Sequence, residues 1–165
     1  MPVRNGFTLI ELMVVIAIVA ILSSIGYPSF RELILNNRLT AQTNALLGTL
    51  QYARSEAVTQ KREVTVCPSP DQATCDDTAP ADWRLDIIVL LDNGTVARVL
   101  PASADVTILG DATDSIVFDI DGTSLANGEL RICDDRGDAN SRTLLVNGVG
   151  QARSRAFQNG DLACE

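Results

Sequence analysis

Few side chains in this sequence could do chemistry, and the most conspicuous is a carboxylate in apolar surroundings. Glu11 lies in a run from Phe7 to Ile25 that is otherwise interrupted only by Thr8, Ser23 and Ser24. A charge at the centre of a membrane helix costs about 2.5–3.5 kcal/mol on insertion scales, so a carboxylate kept there implies a function and a cation to meet it. The plainer alternative is a core helix with Glu11 at its wet end. Cys67, Cys75, Cys133 and Cys164 make an even number without C-x-x-C spacing, which favours disulfides over metal or dithiol redox chemistry. Pairing by sequence neighbours gives Cys67 with Cys75 and Cys133 with Cys164, one of three arrangements that four cysteines allow. Histidine is absent, and with it the commonest general base and metal ligand. Asp119 with Asp121, and Asp134, Asp135 and Asp138 with Asn140, offer the oxygens that calcium takes. Neither group has the EF-hand register, each adjoins a glycine, and both read as turns. No metal, cofactor or catalytic residue is expected. A membrane-anchored periplasmic enzyme working through a carboxylate pair is the remaining reading of that class.

These groups need a scaffold, and composition bounds it. The 165 residues carry a net charge of −8, and aromatic residues make up 4%. That excludes a broadly cationic surface for coating nucleic acid and leaves few rings for stacking on bases or sugars. Phe7 to Ile25 is close to the roughly 20 apolar residues that cross a bilayer. Pro28 interrupts the pattern and predicts a bend, because helical periodicity resumes at once. Phe30, Leu33, Ile34, Leu39, Leu46, Leu50, Ala53 and Ala57 form one apolar stripe, read as the sheet-facing side of an amphipathic helix that ends near Gln60.

From Glu63 the period changes to that of strands. Glu63–Cys67, Trp83–Leu91, Thr95–Leu100, Val106–Leu109, Ser115–Ile120, Glu129–Cys133, Arg142–Val146 and Gln151–Arg155 are the predicted strands. Asp92-Asn93-Gly94, Asp121-Gly122 and Asn147-Gly148 mark turns between them. The fold class is therefore α+β: a long bent amino-terminal helix, its first half transmembrane, packed on an antiparallel β-sheet head.

Gly6-Phe7-Thr8-Leu9-Ile10-Glu11, followed by the apolar run, resembles the processing site of type IV pilins and type II secretion pseudopilins. The resemblance implies that prepilin peptidase cuts between Gly6 and Phe7 and that Phe7 becomes N-methylphenylalanine. It makes residues 1–6 a short leader carrying Arg4, and Glu11 the family's assembly glutamate. Pro28 falls where the family has a helix-bending proline. The expected divisions are 1–6 leader, 7–27 transmembrane and filament-core helix, 28–62 amphipathic half, and 63–165 periplasmic head. Arg4 before the apolar run places the leader in the cytoplasm and the head outside, where disulfides persist.

Leu50 to Val58, Val64 to Cys67, and Leu130 to Cys133 with Arg142 to Asn147, Gly150, Arg153 and Cys164 resemble the FimT, FimU and GspH group of minor pilins and pseudopilins. The implied work is assembly, by priming or in a tip complex, of a type IV pilus or type II secretion filament from the inner membrane. Its partners would be other pilin-type subunits, prepilin peptidase and the assembly platform, with no cofactor. Some FimT-type members bind DNA through arginines of a glycine-led motif. The matching stretch here is Gly150-Gln151-Ala152-Arg153-Ser154-Arg155, which keeps Arg153 and Arg155 but has Gln151 where the motif has its first arginine. The competing expectation is that these arginines pair with Asp161 or another carboxylate.

Overall fold

The helix starts where a side chain can take over a backbone acceptor's role. The computed structural model describes residues 7–164 except 77, 79, 112, 113 and 126, so Gly6 and the expected leader lie outside the described residues. Thr8 caps α1 (Leu9–Gln60): its hydroxyl accepts the Glu11 N–H at 3.3 Å and its carbonyl the Leu12 N–H at 3.2 Å. The helix continues through Pro28. It ends on Lys61, which takes a left-handed φ of 55°, while the Arg62 N–H donates back to the Ala57 carbonyl at 3.3 Å. This is the hydrogen bond of a Schellman cap, made with lysine where glycine is usual.

The chain divides into two compact units, one ending at Asn37 and the other beginning at Arg38. In the first, the large apolar side chains from Phe7 to Leu22 are 47–79% exposed. The periodic stripe read from the sequence changes character between Ile34 and Leu39. Phe30, Leu33 and Ile34 are exposed, so the sheet-facing stripe does not include them. It begins at Leu39 and continues through Thr43, Leu46, Leu50, Ala53 and Ala57, all buried. Thr43 is the member that a search for apolar residues misses. Its hydroxyl is satisfied within the helix, donating to the Leu39 carbonyl at 2.7 Å.

The head is built from β1 (Val64–Ser69), β2 (Asp86–Leu91), β3 (Val96–Leu100), β4 (Thr107–Gly110), β5 (Ile116–Phe118), β6 (Gly128–Cys133), β7 (Arg142–Val146) and β8 (Ala152–Ala156). All pairings are antiparallel, and they form two four-stranded sheets, β3-β2-β1-β5 and β4-β6-β7-β8. Strand alternation cannot show which strands share a sheet, and the sequence had distinguished only one. One core joins Leu46, Leu50 and Ala53 of the helix to Val66, Val89 and Phe118 of the first sheet and Leu130, Ile132 and Leu144 of the second. Trp83, expected to open a strand, precedes β2 as a buried plug. Its indole lies so close over Gly110 that a Cβ there would come within 2.2 Å.

Three tight turns share one design. The fourth residue donates to the first carbonyl, Gly94 to Leu91 at 2.9 Å, Gly122 to Asp119 at 2.8 Å and Gly150 to Asn147 at 2.8 Å. In each case that glycine takes the positive φ. In the last turn the left-handed residue is therefore Gly150, two positions beyond the Asn147-Gly148 pair that the sequence marked. Gly150 has a second constraint, since a Cβ would fall 1.9 Å from the Gly122 carbonyl oxygen. Arg54 of the helix fixes this junction: its Nε donates to the Gly122 carbonyl at 2.9 Å and an Nη to the Val149 carbonyl at 3.1 Å. One guanidinium thus holds a turn from each sheet. Gly150→Ala should lower the unfolding free energy, and with it the urea midpoint, by more than the roughly 1 kcal/mol that a forced positive φ costs. Gly48→Ala, in the helix with open space around it, should raise the midpoint, because alanine is the better helix former by about 1 kcal/mol.

Candidate functional site

Phe7 directly precedes the Thr8 cap of α1, and Glu11 lies in the first turn that the cap closes. Thr8-Leu9-Ile10-Glu11 has capping-box spacing, in which the residue at the third helical position also serves the cap. Glu11 therefore stands where the helix dipole favours a negative charge. Its side chain is exposed, amid a sleeve of exposed leucine, isoleucine and valine. Thr8 was missed as a functional neighbour of Glu11, although the T-x-x-E spacing was visible. Pro28 sits inside the helix, and an 18-residue window of α1 is apolar enough to cross a membrane.

In the head the cysteines pair as Cys67–Cys75 and Cys133–Cys164. The first bridge closes a loop ordered by Asp71, whose carboxylate accepts the Thr74 and Ala73 N–H groups at 2.8 and 2.9 Å. Those backbone bonds, Thr74 foremost, hold the Asp71 carboxyl down at about 2. The second bridge fastens the carboxyl-terminal segment over the outer face of the second sheet.

A polar cluster accompanies that bridge. Across β6, β7 and β8 the register places Arg131 opposite Thr143 and Thr143 opposite Arg155. Arg155 donates to both oxygens of Asp161, at 2.7 and 2.6 Å, and Asp161 also accepts the Thr143 hydroxyl at 2.7 Å and the Gln158 N–H at 2.9 Å. These bonds, that of Arg155 first, hold the Asp161 carboxyl well below the usual carboxylate range. Arg131 is fully buried, lies 4.1 Å from the Phe157 ring centroid, and has Asp138 at 3.3 Å and Asp161 at 3.6 Å. Asp138 in turn accepts the Cys164 N–H at 2.7 Å. Of the two arginines considered for phosphate contact, Arg155 is thus held by Asp161, while Arg153 is exposed.

The acidic groups considered for calcium behave as turn formers. Asp121 accepts the Thr123 hydroxyl and N–H at 2.6 and 2.9 Å, and Asp134 pairs with Arg136 at 2.6 Å. Among the described residues no three histidine, cysteine or acidic side chains are grouped to hold a metal ion.

A single long helix with an apolar amino-terminal stretch, leading into an antiparallel β-rich head, is the pilin-like architecture. The type IV minor pilin FimU of Pseudomonas aeruginosa (strain PAO1) has the same fold: in one crystal form it superposes with a TM-score of 0.57 at 24% identity, covering 78% of this chain and 94% of that one. Residues 42–150 match the family described as type II transport protein GspH, and residues 1–27 match the prokaryotic N-terminal methylation motif. The chain belongs to the GspH family, within the minor pilins and pseudopilins.

Shorter stretches of the chain resemble fimbrial proteins. A Pseudomonas aeruginosa fimbrial protein is 30% identical over 76 residues, 46% of this chain and 49% of that protein. Prepilin peptidase-dependent protein D of Escherichia coli (strain K12) is 55% identical over 40 residues, 24% and 27% of the respective chains. The chain thus spans about half the length, or less, of these relatives. Arg153, Arg155 and Asp161 all lie beyond the residues matched by the GspH family.

Two outcomes follow for the carboxyl-terminal cluster. Arg131→Ala should cost about 3–5 kcal/mol in urea unfolding, the usual loss on breaking a buried ion pair. Because the Asp161 carboxyl is depressed in the folded chain, its contribution is complete above the unfolded value of about 3.9 and is lost as pH falls through the folded one. Protection of the Gln158 amide, taken as its exchange rate relative to the intrinsic rate at each pH, should therefore hold from neutral pH to about 4 and fall only in stronger acid; loss of protection near pH 6 would contradict this assignment.

Proposed function

We propose that this chain is a minor subunit of a type IV pilus or type II secretion filament, made as a precursor and cleaved between Gly6 and Phe7. The observation that carries the reading is the segment from Phe7 to Leu22, with apolar side chains exposed on all sides in the isolated chain and a carboxylate in the first turn of the helix. Such a surface is stable only in lipid or against other apolar helices. A single pass through the inner membrane with the head in the periplasm accommodates it, and the two disulfides suit an oxidising compartment.

Cleavage gives the charge a partner. The new α-amino group on Phe7 and the Glu11 carboxylate would belong to one helical turn, so neighbouring subunits stacked with a small offset bring the amine of one to the acid of the next. A lone charge in lipid is expensive, and a paired one much less so. Glu11 thus selects the assembled state over the free subunit, while the apolar sleeve stores the subunit in the bilayer beforehand. Priming, or a place in a tip complex, suits a subunit of this family better than catalysis. DNA capture through Arg153 and Arg155 is a weaker reading, because Asp161 already engages both terminal nitrogens of Arg155.

Glu11→Ala should leave membrane insertion intact, and mass spectrometry should still show loss of Met1 to Gly6 with methylation at Phe7. The share of the chain recovered with sheared filaments should fall about tenfold or more, as expected for one ion pair worth more than about 1.4 kcal/mol. Unchanged recovery in filaments would remove the proposed role of Glu11.

A further inference from the structure

Among the described residues the two sheets end in four edge strands, β3, β5, β4 and β8. Three of them are blunted. β5 has three residues and β4 four, and the ladder beside β3 shifts register between Val89 and Leu90. Short or irregular edges resist pairing with another chain. β8 instead keeps a regular five-residue register with β7, from Val146 opposite Ala152 to Arg142 opposite Ala156. In an antiparallel ladder the peptide groups alternate between the two sides of a strand. The Asn147 N–H donates to the Gln151 carbonyl at 3.2 Å, so Gln151, Arg153 and Arg155 turn their peptide groups to β7. Those of Ala152 and Ser154 turn outward.

That free edge overlooks a groove of about 810 Å³ whose opposite wall is the helix at Gln51, Ser55 and Val58. A smaller recess farther along the strand reaches Asn44 and Arg142. The charges lining the two are lopsided: Arg54, Arg142 and Arg153 face Asp121, while Arg155 is paired with Asp161, in a chain of net charge −8. Arg142 and Arg153 are exposed.

We propose that β8 and its groove accept an extended acidic segment of a neighbouring filament subunit as a fifth strand of the second sheet. This rests on the filament reading and names a surface for it. Hydrogen bonds to the outward peptide groups of Ala152 and Ser154 hold the incoming strand, and carboxylates along it meet Arg153 and Arg142. The small side chains of Ala152, Ser154 and Ala156 leave room for it beside the helix. A nucleic acid would also be drawn to these arginines, but its phosphates only accept hydrogen bonds and cannot pair with the outward carbonyls.

The test places a photo-crosslinking amino acid in the full-length chain, in its own cells, at Gln151 or at Val14. Val14, in the apolar helix, reports entry into the filament. Both positions should crosslink to protein, and the Gln151 adduct should map to an extended segment containing Asp or Glu. Ser154→Pro removes an outward N–H and no bond to β7. It should lower the Gln151 adduct about tenfold, the upper end for one backbone hydrogen bond, and spare the Val14 adduct; Arg153→Glu should do the same. Val14 adducts without Gln151 adducts, a Gln151 adduct on a helix, one destroyed by nuclease, or one indifferent to both substitutions would overturn the proposal and leave the filament reading standing. Loss of both adducts would overturn the filament reading and the proposal with it.

Discussion

One helix has to satisfy two solvents, and the rest of the molecule follows from that constraint. From Phe7 to Leu22 the side chains are apolar on every face, and from Leu39 to Ala57 a single stripe is buried. The first arrangement is unstable in water and the second is ordinary there. Their separation at residues 34–39 is why the head can complete its core without the apolar segment. It does so with two small sheets that both feed one cluster around Leu46 and Leu50. The burial of whole side chains there, each worth about 1.5–3 kcal/mol, stabilises the head.

Much of this arrangement was legible in the residues. Eight strands were marked by alternation, the turns by their Asp-Gly and Asn-Gly signals, and the helix by its period. What failed did so for physical reasons. Phe30, Leu33 and Ile34 continue the apolar stripe in register, and periodicity does not reveal whether an apolar face meets its own sheet or something outside the chain. Trp83 looked like a strand residue because aromatic side chains favour strands, yet it serves as a plug over Gly110. The division into two sheets rests on pairings between residues far apart in sequence, and local patterns do not contain them.

The candidate site was uneven in the same way. Glu11 announces itself because a carboxylate among isoleucines is costly. The environment of Arg155 was legible only as an alternative, since Asp161 was one of many acids that could have met it. Arg131 gave no warning, because an arginine in an alternating strand usually faces water. Here the register of three strands stacks it with Thr143 and Arg155 under Phe157, a non-local arrangement. Its Nε makes no hydrogen bond among the described residues, so the cluster is held by charge and ring contact more than by complete hydrogen bonding.

The contact of Arg54 with Gly122 and Val149 also has a mechanical meaning. A load entering the head along the helix reaches a turn of each sheet through two hydrogen bonds from one side chain. Bonds loaded in parallel share tension, whereas bonds loaded in series yield one after another. Beyond that junction, the Cys133–Cys164 bridge closes the carboxyl-terminal end of the second sheet covalently. Pulled by its helix, the head is braced to move as one piece, its two sheets drawn together rather than peeled apart.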